Sequence, residues 1–496
     1  MLSTRFLMKE HLRVILSLSF FLFVSLSFSM LLVSPSARAA DAWFDVIKRT
    51  ASDAELYQLL YEMPKGGDLH LHISGSGFPE WWYELALAAE SDGYRYYTKV
   101  RINECRGYGG QAFKVGAPYL LMFVTLQESN WNQLPACEQE EYELMSELTP
   151  VQKDGWLNSV KLDKPYEGRA EFFETHWQRL QDLAANPWMR GEIIARNFKA
   201  FSDEGLIYLE PQVSAMGYMD AEGKPIPPQE VAKIIESRLA EKDIQNLGIY
   251  WQFQQSILRF MPFAEESLQS AFEFVASQET WVAVNMVGRE DDDKGHPARF
   301  LSTVRALRHK YNNVKLSIHA GEVDEPNSHV RDTLLLGADR IGHGLNLISD
   351  PDTMLLMRHG PYMVEINLVS NLLLEYVSDY SEHPFPEYLR TGIPVALSTD
   401  DRGMWDSTMT DEFFVAVKEF NLSWEEIKLL GENSLKYSFT TPAKKAELLK
   451  TYAKRLERFE KKLAKRGLSG LEKGPAPRHG FVCSRYALCA PSLDGE

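Results

Sequence analysis

Past residue 200 the chain repeats one pattern: a short, nearly continuous apolar run, then a longer stretch with apolar residues at helical spacing. The runs fall at 206–213, 249–254, 281–287, 314–319, 340–343, 362–367 and 394–399, and an earlier one lies at 67–72. Runs without polar alternation are what parallel strands covered on both faces require. Eight of them predict an α/β fold of the (β/α)8, TIM-barrel type. Between the first and second runs, 77–172 is several times the usual spacing and predicts a small module inserted after the first strand. After residue 440 a lysine-rich amphipathic helix runs to about residue 466, predicted to pack its apolar stripe inward.

The start of the chain follows a different rule. Lys9 and Arg13 precede an apolar, serine-rich run at 14–33 and then Ala37-Arg38-Ala39, the layout of an export signal with its cleavage site. The expected organisation is a signal peptide at 1–39, an N-terminal segment and first strand at 40–76, the insertion at 77–172, the rest of the barrel at 173–440, and a C-terminal helix and tail at 441–496. A periplasmic or secreted location follows, with no membrane association after cleavage. In that setting Cys105, Cys137, Cys483 and Cys489 read as disulfides. Three pairings are open, and local pairing, Cys105 with Cys137 and Cys483 with Cys489, is the expectation.

Composition narrows the partner. With 496 residues, 45% hydrophobic and 25% charged, the chain can bury a barrel-sized core. Its net charge of -16 disfavours nucleic acid and anionic membranes, which need clustered basic charge. A small neutral or cationic molecule fits better, and a homodimer is compatible with the sequence.

Four motifs at run ends carry the chemistry: His70-Leu-His72, His319-Ala-Gly-Glu322, Gly342-His343-Gly344 and Thr399-Asp400-Asp401. On a strand, residues i and i+2 share a face, so His70 and His72 can reach one metal. Asp400 and Asp401 diverge, which suits one metal ligand and one substrate contact. Each signal alone is weak. Together, at the carboxyl ends of parallel strands, they supply three histidines and one carboxylate for a single Zn²⁺ with an open position. The run at 281–287 holds no lysine to bridge two metals.

Met63-Pro-Lys-Gly-Gly-Asp-Leu-His-Leu-His72, His319-Ala-Gly-Glu322, Arg340-Ile-Gly-His-Gly344, Ser370-Asn371 and Leu397-Ser-Thr-Asp-Asp401 resemble the motifs of the adenosine deaminase family in the amidohydrolase superfamily. The signal-like start and cysteine-bearing insertion are similar to its secreted, growth-factor-type branch. The resemblance implies one zinc on His70, His72, His319 and Asp400. It makes His343 the group that orients water and accepts its proton, and Glu322 the acid for purine N1. Asp401 would contact N7, and Gly288 would offer its backbone N–H to N3. The implied reaction is deamination of adenosine or 2′-deoxyadenosine to inosine or deoxyinosine. Another aminopurine such as adenine or a modified nucleoside, and a non-catalytic extracellular nucleoside-binding protein, are the alternatives. Ser74 stands where small relatives carry an aspartate for the ribose. The insertion is therefore expected to form a lid that reads the sugar, with Glu174 and His176 as candidates weighed against a plain polar helix face. Glu210 reads as structural.

Overall fold

The computed structural model describes residues 35–105, 120–290, 294–323 and 327–489, with the backbone alone for 35–42. Residues 1–50 form one unit, whose described part is the helix Pro35–Thr50; residues 51–496 form the other. The apolar run read as an export signal lies outside the described residues, as do residues 106–119 of the insertion, Gly107 to Gly110 among them. No helix among the described residues is long and apolar enough to cross a membrane.

Among the described residues the larger unit carries twelve strands: β1 (Gly66–Asp68), β2 (Tyr96–Lys99), β3 (Thr125–Gln127), β4 (Tyr142–Leu144), β5 (Leu206–Leu209), β6 (Tyr250–Trp251), β7 (Phe253–Leu258), β8 (Trp281–Val287), β9 (Lys315–Ala320), β10 (Arg340–His343), β11 (Met363–Ile366) and β12 (Val395–Leu397). Strands β7 to β12 pair in order in one parallel sheet, and β1, β5 and β6 pair in another. Only Gln252 separates β6 from β7. Isolated parallel bridges tie Leu71 to Asp400 and Gln212 to Gln254, so the succession of strands joins at both ends. Every one of the eight apolar runs coincides with one of these strands or its extension. Helices alternate with them, several fixed at the N-terminus by reciprocal side-chain caps such as Ser423 with Glu426 and Thr408 with Asp411.

The insertion folds separately into an antiparallel sheet of order β3-β2-β4, with Trp156 buried against it and donating to Thr125 Oγ1 at 2.9 Å. Its Cys105–Cys137 disulfide and the Cys483–Cys489 disulfide near the C-terminus are the local pairings expected. The helix Pro442–Arg466 buries Leu448, Tyr452, Leu456, Phe459 and Leu463, a stripe at spacings of three and four.

The parallel strands also enclose a polar network. Arg340 donates to Glu365 Oε1 at 2.5 Å, to Glu210 Oε1 at 2.6 Å and to the Tyr437 carbonyl at 3.0 Å, and all three side chains are buried. Its guanidinium lies 3.7 Å from the centre of the Phe439 ring. Glu210, read from sequence as structural, is one anchor of this triad. Removing one partner of such a cluster strands like charges in a low dielectric. Arg340→Met should therefore cost on the order of 3–5 kcal/mol of stability. Denaturant unfolding measures this, and an unchanged midpoint would show that the network contributes nothing to the fold.

Candidate metal and catalytic site

The chain is strapped together where the motifs meet. Asp400 N donates to the His70 carbonyl at 2.9 Å and His72 N to the Asp400 carbonyl at 3.0 Å. Beneath them Asp68 accepts from His70 N, Thr399 N and Thr399 Oγ1. His319 lies on β9 and His343 ends β10, where the register sets Gly342 beside His319. His343 and Asp400 both hold positive φ, 61° and 53°, a conformation costly for residues with a Cβ. Such strain at two converging strand ends marks a functional site.

The hydrogen bonds determine which nitrogens can bind a cation. His70 Nδ1 lies 2.8 Å from Glu365 Oε2, so it carries the proton and leaves the Nε2 lone pair free. Burial pulls Glu365 up, but Arg340 and His70 outweigh it and hold the carboxyl down at about 2. His319 is fixed in the same way. Gln254 Nε2 donates to the Leu69 carbonyl, Asn285 Nδ2 donates to Gln254 Oε1 at 2.8 Å, and Asn285 Oδ1 is left to face His319 Nδ1 at 3.1 Å. Both imidazoles thus turn acceptor nitrogens toward Asp400.

Asp400 Oδ1 lies 3.4 Å from His70 Nε2 and 3.2 Å from His72 Nε2, and His72 Nε2 lies 3.1 Å from His319 Nε2. Acceptors crowded around a carboxylate in a buried site call for a cation. Without a metal, a proton takes its place: burial lowers His70, but Asp400 and Glu365 outweigh it and raise it to about 10. Imidazole and carboxylate donors in this number suit Zn²⁺ with one open position.

His343 stands close by, its ligand atom within 4.8 Å of those of His70, His319 and Asp400. Its tautomer sets it apart. Phe385 N–H donates to His383 Nδ1, so His383 Nε2 donates to Asn371 Oδ1, and Asn371 Nδ2 donates to His343 Nδ1 at 3.1 Å. Neutral His343 then carries its proton on Nε2, which makes it a hydrogen-bond donor and not a ligand. Asn367, turned to satisfy the Ser398 and Ile366 carbonyls, presents Oδ1 to the same Nδ1 at 3.3 Å, which instead fits a proton there. The chain anchored by the Phe385 backbone fixes the resting state, and the two asparagines together serve both tautomers. Burial pushes His343 down to about 3, so the ring is neutral.

Beside this cluster opens a cavity of about 310 Å³ whose walls include His72, His319, Asp400, Asp401, Glu322 and Gly288. Burial, then the charges of Asp400 and Glu290, push Glu322 well above the carboxylate range. Burial, then Asp400 and Glu322, do the same to Asp401, whose Oδ1 has no partner. A cation on Asp400 would cancel that charge but leave burial, the largest cause, in place. Glu322 Oε1 accepts from Tyr376 at 3.3 Å, and its Oε2 lies 3.7 Å from His343 Nε2. Gly288 directly follows β8 at φ 87°, and a Cβ there would lie 2.6 Å from the Phe260 ring.

All eight candidate residues from the sequence therefore meet in one place. The sugar-reading expectation needs correction. His176 is buried, with its nitrogens facing the carbonyls of Lys161 and Glu171 at 3.2 Å. Glu174 is exposed and paired with Arg289 at 2.9 Å. Neither lines the cavity. The closing segment of the insertion brings Phe172, Phe173 and Trp177 to its wall instead. A five-residue π-helical turn, Phe172–His176, shifts the helical register here, and an α-helical reading of the sequence misplaces its faces. The insertion does approach the chemistry by another route: Arg169 donates to Tyr376 Oη at 3.1 Å, and Tyr376 donates to Glu322. Glu365, Asn285 and Gln212 were missed, since a polar residue inside an apolar run gives no local signal of the partner it faces, and so was Arg190 on the helix Pro187–Asp203, whose partners are equally invisible locally.

Comparison with known proteins agrees with this geometry. The sequence model of the adenosine deaminase family matches residues 159–455. An adenosine deaminase of Enterococcus faecalis is 32% identical over 164 residues, covering 33% of this chain, so the match spans about half (47%) of that relative's length. Adenosine deaminase 2 of Dictyostelium discoideum is 23% identical over 413 residues, covering 78% of this chain and 71% of its own. Among solved structures, adenine deaminase from Arthrobacter aurescens shares the fold with a TM-score of 0.57 at 19% identity, covering 79% of this chain and 99% of its own.

The cluster's tolerance is testable at one glycine. A Cβ on Gly342 would lie 2.7 Å from His70 Cε1 and 3.0 Å from its Nδ1. Gly342→Ala should displace the ring from Glu365 and weaken zinc binding about 10- to 100-fold, as changes behind a ligand typically do. Competition against a chromophoric chelator measures this, and wild-type affinity in the variant would contradict the packing argument.

Proposed function

Because the chain belongs to the adenosine deaminase family of the amidohydrolase superfamily, we propose that it binds one Zn²⁺ through His70, His72, His319 and Asp400 and hydrolytically deaminates adenosine and 2′-deoxyadenosine. The observation that carries this reading is a pair of buried, proton-holding carboxyls, Glu322 and Asp401, on one cavity beside the three-histidine, one-aspartate cluster. Purine N1 and N7 only accept hydrogen bonds, so a carboxyl that meets them must carry a proton. Ordinary exposed carboxylates cannot do so near neutral pH.

A bound zinc ion supplies acidity, bringing the pKa of a water to roughly 7 so that a nucleophile exists at neutral pH. The remaining work falls to the protein's own groups. Glu322 protonates N1 and draws electrons from C6. Asp401 holds N7, and the Gly288 backbone offers its N–H to N3. In the tautomer that carries its proton on Nδ1, donated as a hydrogen bond to Asn367 Oδ1, His343 leaves Nε2 free to orient the attacking water, take its proton and pass that proton to the leaving amino group. Arg169, through Tyr376, positions Glu322. Ammonia leaves, and inosine or deoxyinosine remains. A protein that only bound nucleosides could use a proton-holding Glu322 but would need no cation site beside it. Export to the periplasm or cell exterior is part of the proposal, supported by two disulfides in one chain.

Purified, zinc-loaded chain assayed for ammonia release against a panel of aminopurines tests the activity directly. Glu322→Gln tests the mechanism. The amide keeps the shape but cannot give up a proton to N1, so turnover should fall about 10²- to 10⁴-fold with zinc content and nucleoside binding retained. Near-normal turnover with zinc in place would assign the proton to another group.

A further inference from the structure

Two side chains that line the cavity hold three hydrogen-bonding atoms that the protein leaves unused. Gln212 is 3% exposed, and neither its Nε2 nor its Oε1 has a partner. Arg190 is 7% exposed; its Nη1 donates to Ser74 Oγ and its Nη2 to the Ala184 carbonyl at 2.7 Å, while its Nε is unpartnered. Both residues line the cavity, as does Ser74. Leaving a buried donor or acceptor unpaired is costly, so three such atoms on one cavity point to a polar ligand group that completes them.

Their placement is fixed by the backbone. Gln212 N donates to the Leu71 carbonyl at 2.8 Å and Ile73 N to the Gln212 carbonyl at 3.3 Å, which straps Gln212 alongside His72. Ser74 lies two residues past His72, and Arg190 holds its hydroxyl oxygen, leaving the Ser74 proton free to be donated. We infer that Gln212 and Arg190, together with Ser74, form a subsite for the sugar hydroxyls of the substrate, so that the enzyme acts on nucleosides in preference to the free base. This rests on the deaminase reading above and deepens it.

The mixture of atoms selects the ligand chemistry. A hydroxyl both donates and accepts, and can use the Gln212 Oε1 acceptor as well as the donors on Gln212 and Arg190. A phosphate dianion offers no proton to that acceptor and would leave it stranded. Adenine alone would leave all three atoms unpaired, and sites built around such groups discriminate strongly against ligands that lack the matching hydroxyl. Recognition of the sugar then belongs to the strand-end wall, not to the insertion.

The test compares kcat/KM for adenosine, adenine and adenosine 5′-monophosphate in zinc-loaded wild type, Gln212→Met and Arg190→Lys. Met matches the glutamine in size, and Gln212 makes no side-chain hydrogen bond within the protein, so that variant should fold and keep zinc. Wild type should prefer adenosine to both other substrates. Gln212→Met should lower kcat/KM for adenosine about 10- to 100-fold while changing the value for adenine less than about threefold. Arg190→Lys should narrow the same ratio in the same direction. Equal losses on adenosine and adenine, no loss on either, or a wild-type preference for the phosphate would each overturn the assignment. Calorimetric binding of inosine against hypoxanthine gives a second readout. If wild type deaminates no aminopurine, the proposed function fails, while the subsite still stands or falls on whether inosine binds tighter than hypoxanthine and loses that advantage in Gln212→Met.

Discussion

A buried carboxylate set among imidazoles, two of which have their protons held on the far side, is unstable unless a cation sits among them, and the rest of this structure is arranged around that constraint. Asp400 faces His70, whose proton is held on the far side by Glu365, and His72, which in turn meets His319, whose proton is held by Asn285. These outer partners are not isolated. Glu365 is charged because Arg340 is beside it, Arg340 is balanced by Glu210, and Asn285 is oriented by Gln254. A chain of buried hydrogen bonds thus runs from the middle of the strands to the candidate metal ligands, and each link leaves the next only one satisfied orientation.

The same residue type is driven to opposite charge states over a short span. Glu365 has a guanidinium at 2.5 Å and stays ionised, at about 2. Glu322 and Asp401 are equally buried but face other carboxylates, so each holds its proton. One environment builds a ligand support and the other builds hydrogen-bond donors from groups that in water would be acceptors. His343 completes the division: its ring is neutral, with its orientation set by Asn371 and His383.

Much of this was legible in the sequence. Parallel strands covered on both faces must be apolar over most of their length, and all eight runs were visible for that reason. The candidate ligands stood out because His and Asp at the ends of such runs have few structural uses. Arg340, Glu365 and Asn285 were harder to read, because their partners lie tens or hundreds of residues away and no local pattern encodes the pairing. Glu174 and His176, weaker candidates than a plain polar helix face, stay off the cavity for a different cause: the π-helical turn from Phe172 to His176 turns aromatic rings to the cavity and His176 toward backbone carbonyls. Gln212 and Arg190 were invisible as sugar contacts, since an unpartnered atom is a property of three-dimensional surroundings alone.

The account depends most directly on the identity and number of cations in the cluster. Elemental analysis of the purified full chain, combined with anomalous X-ray scattering at the zinc edge, measures both. The geometry predicts one zinc per chain, bound by His70, His72, His319 and Asp400 at roughly 2.0–2.2 Å, with His343 outside bonding range. Two metals per chain, or a single ion held by His343 in place of His72, would contradict it.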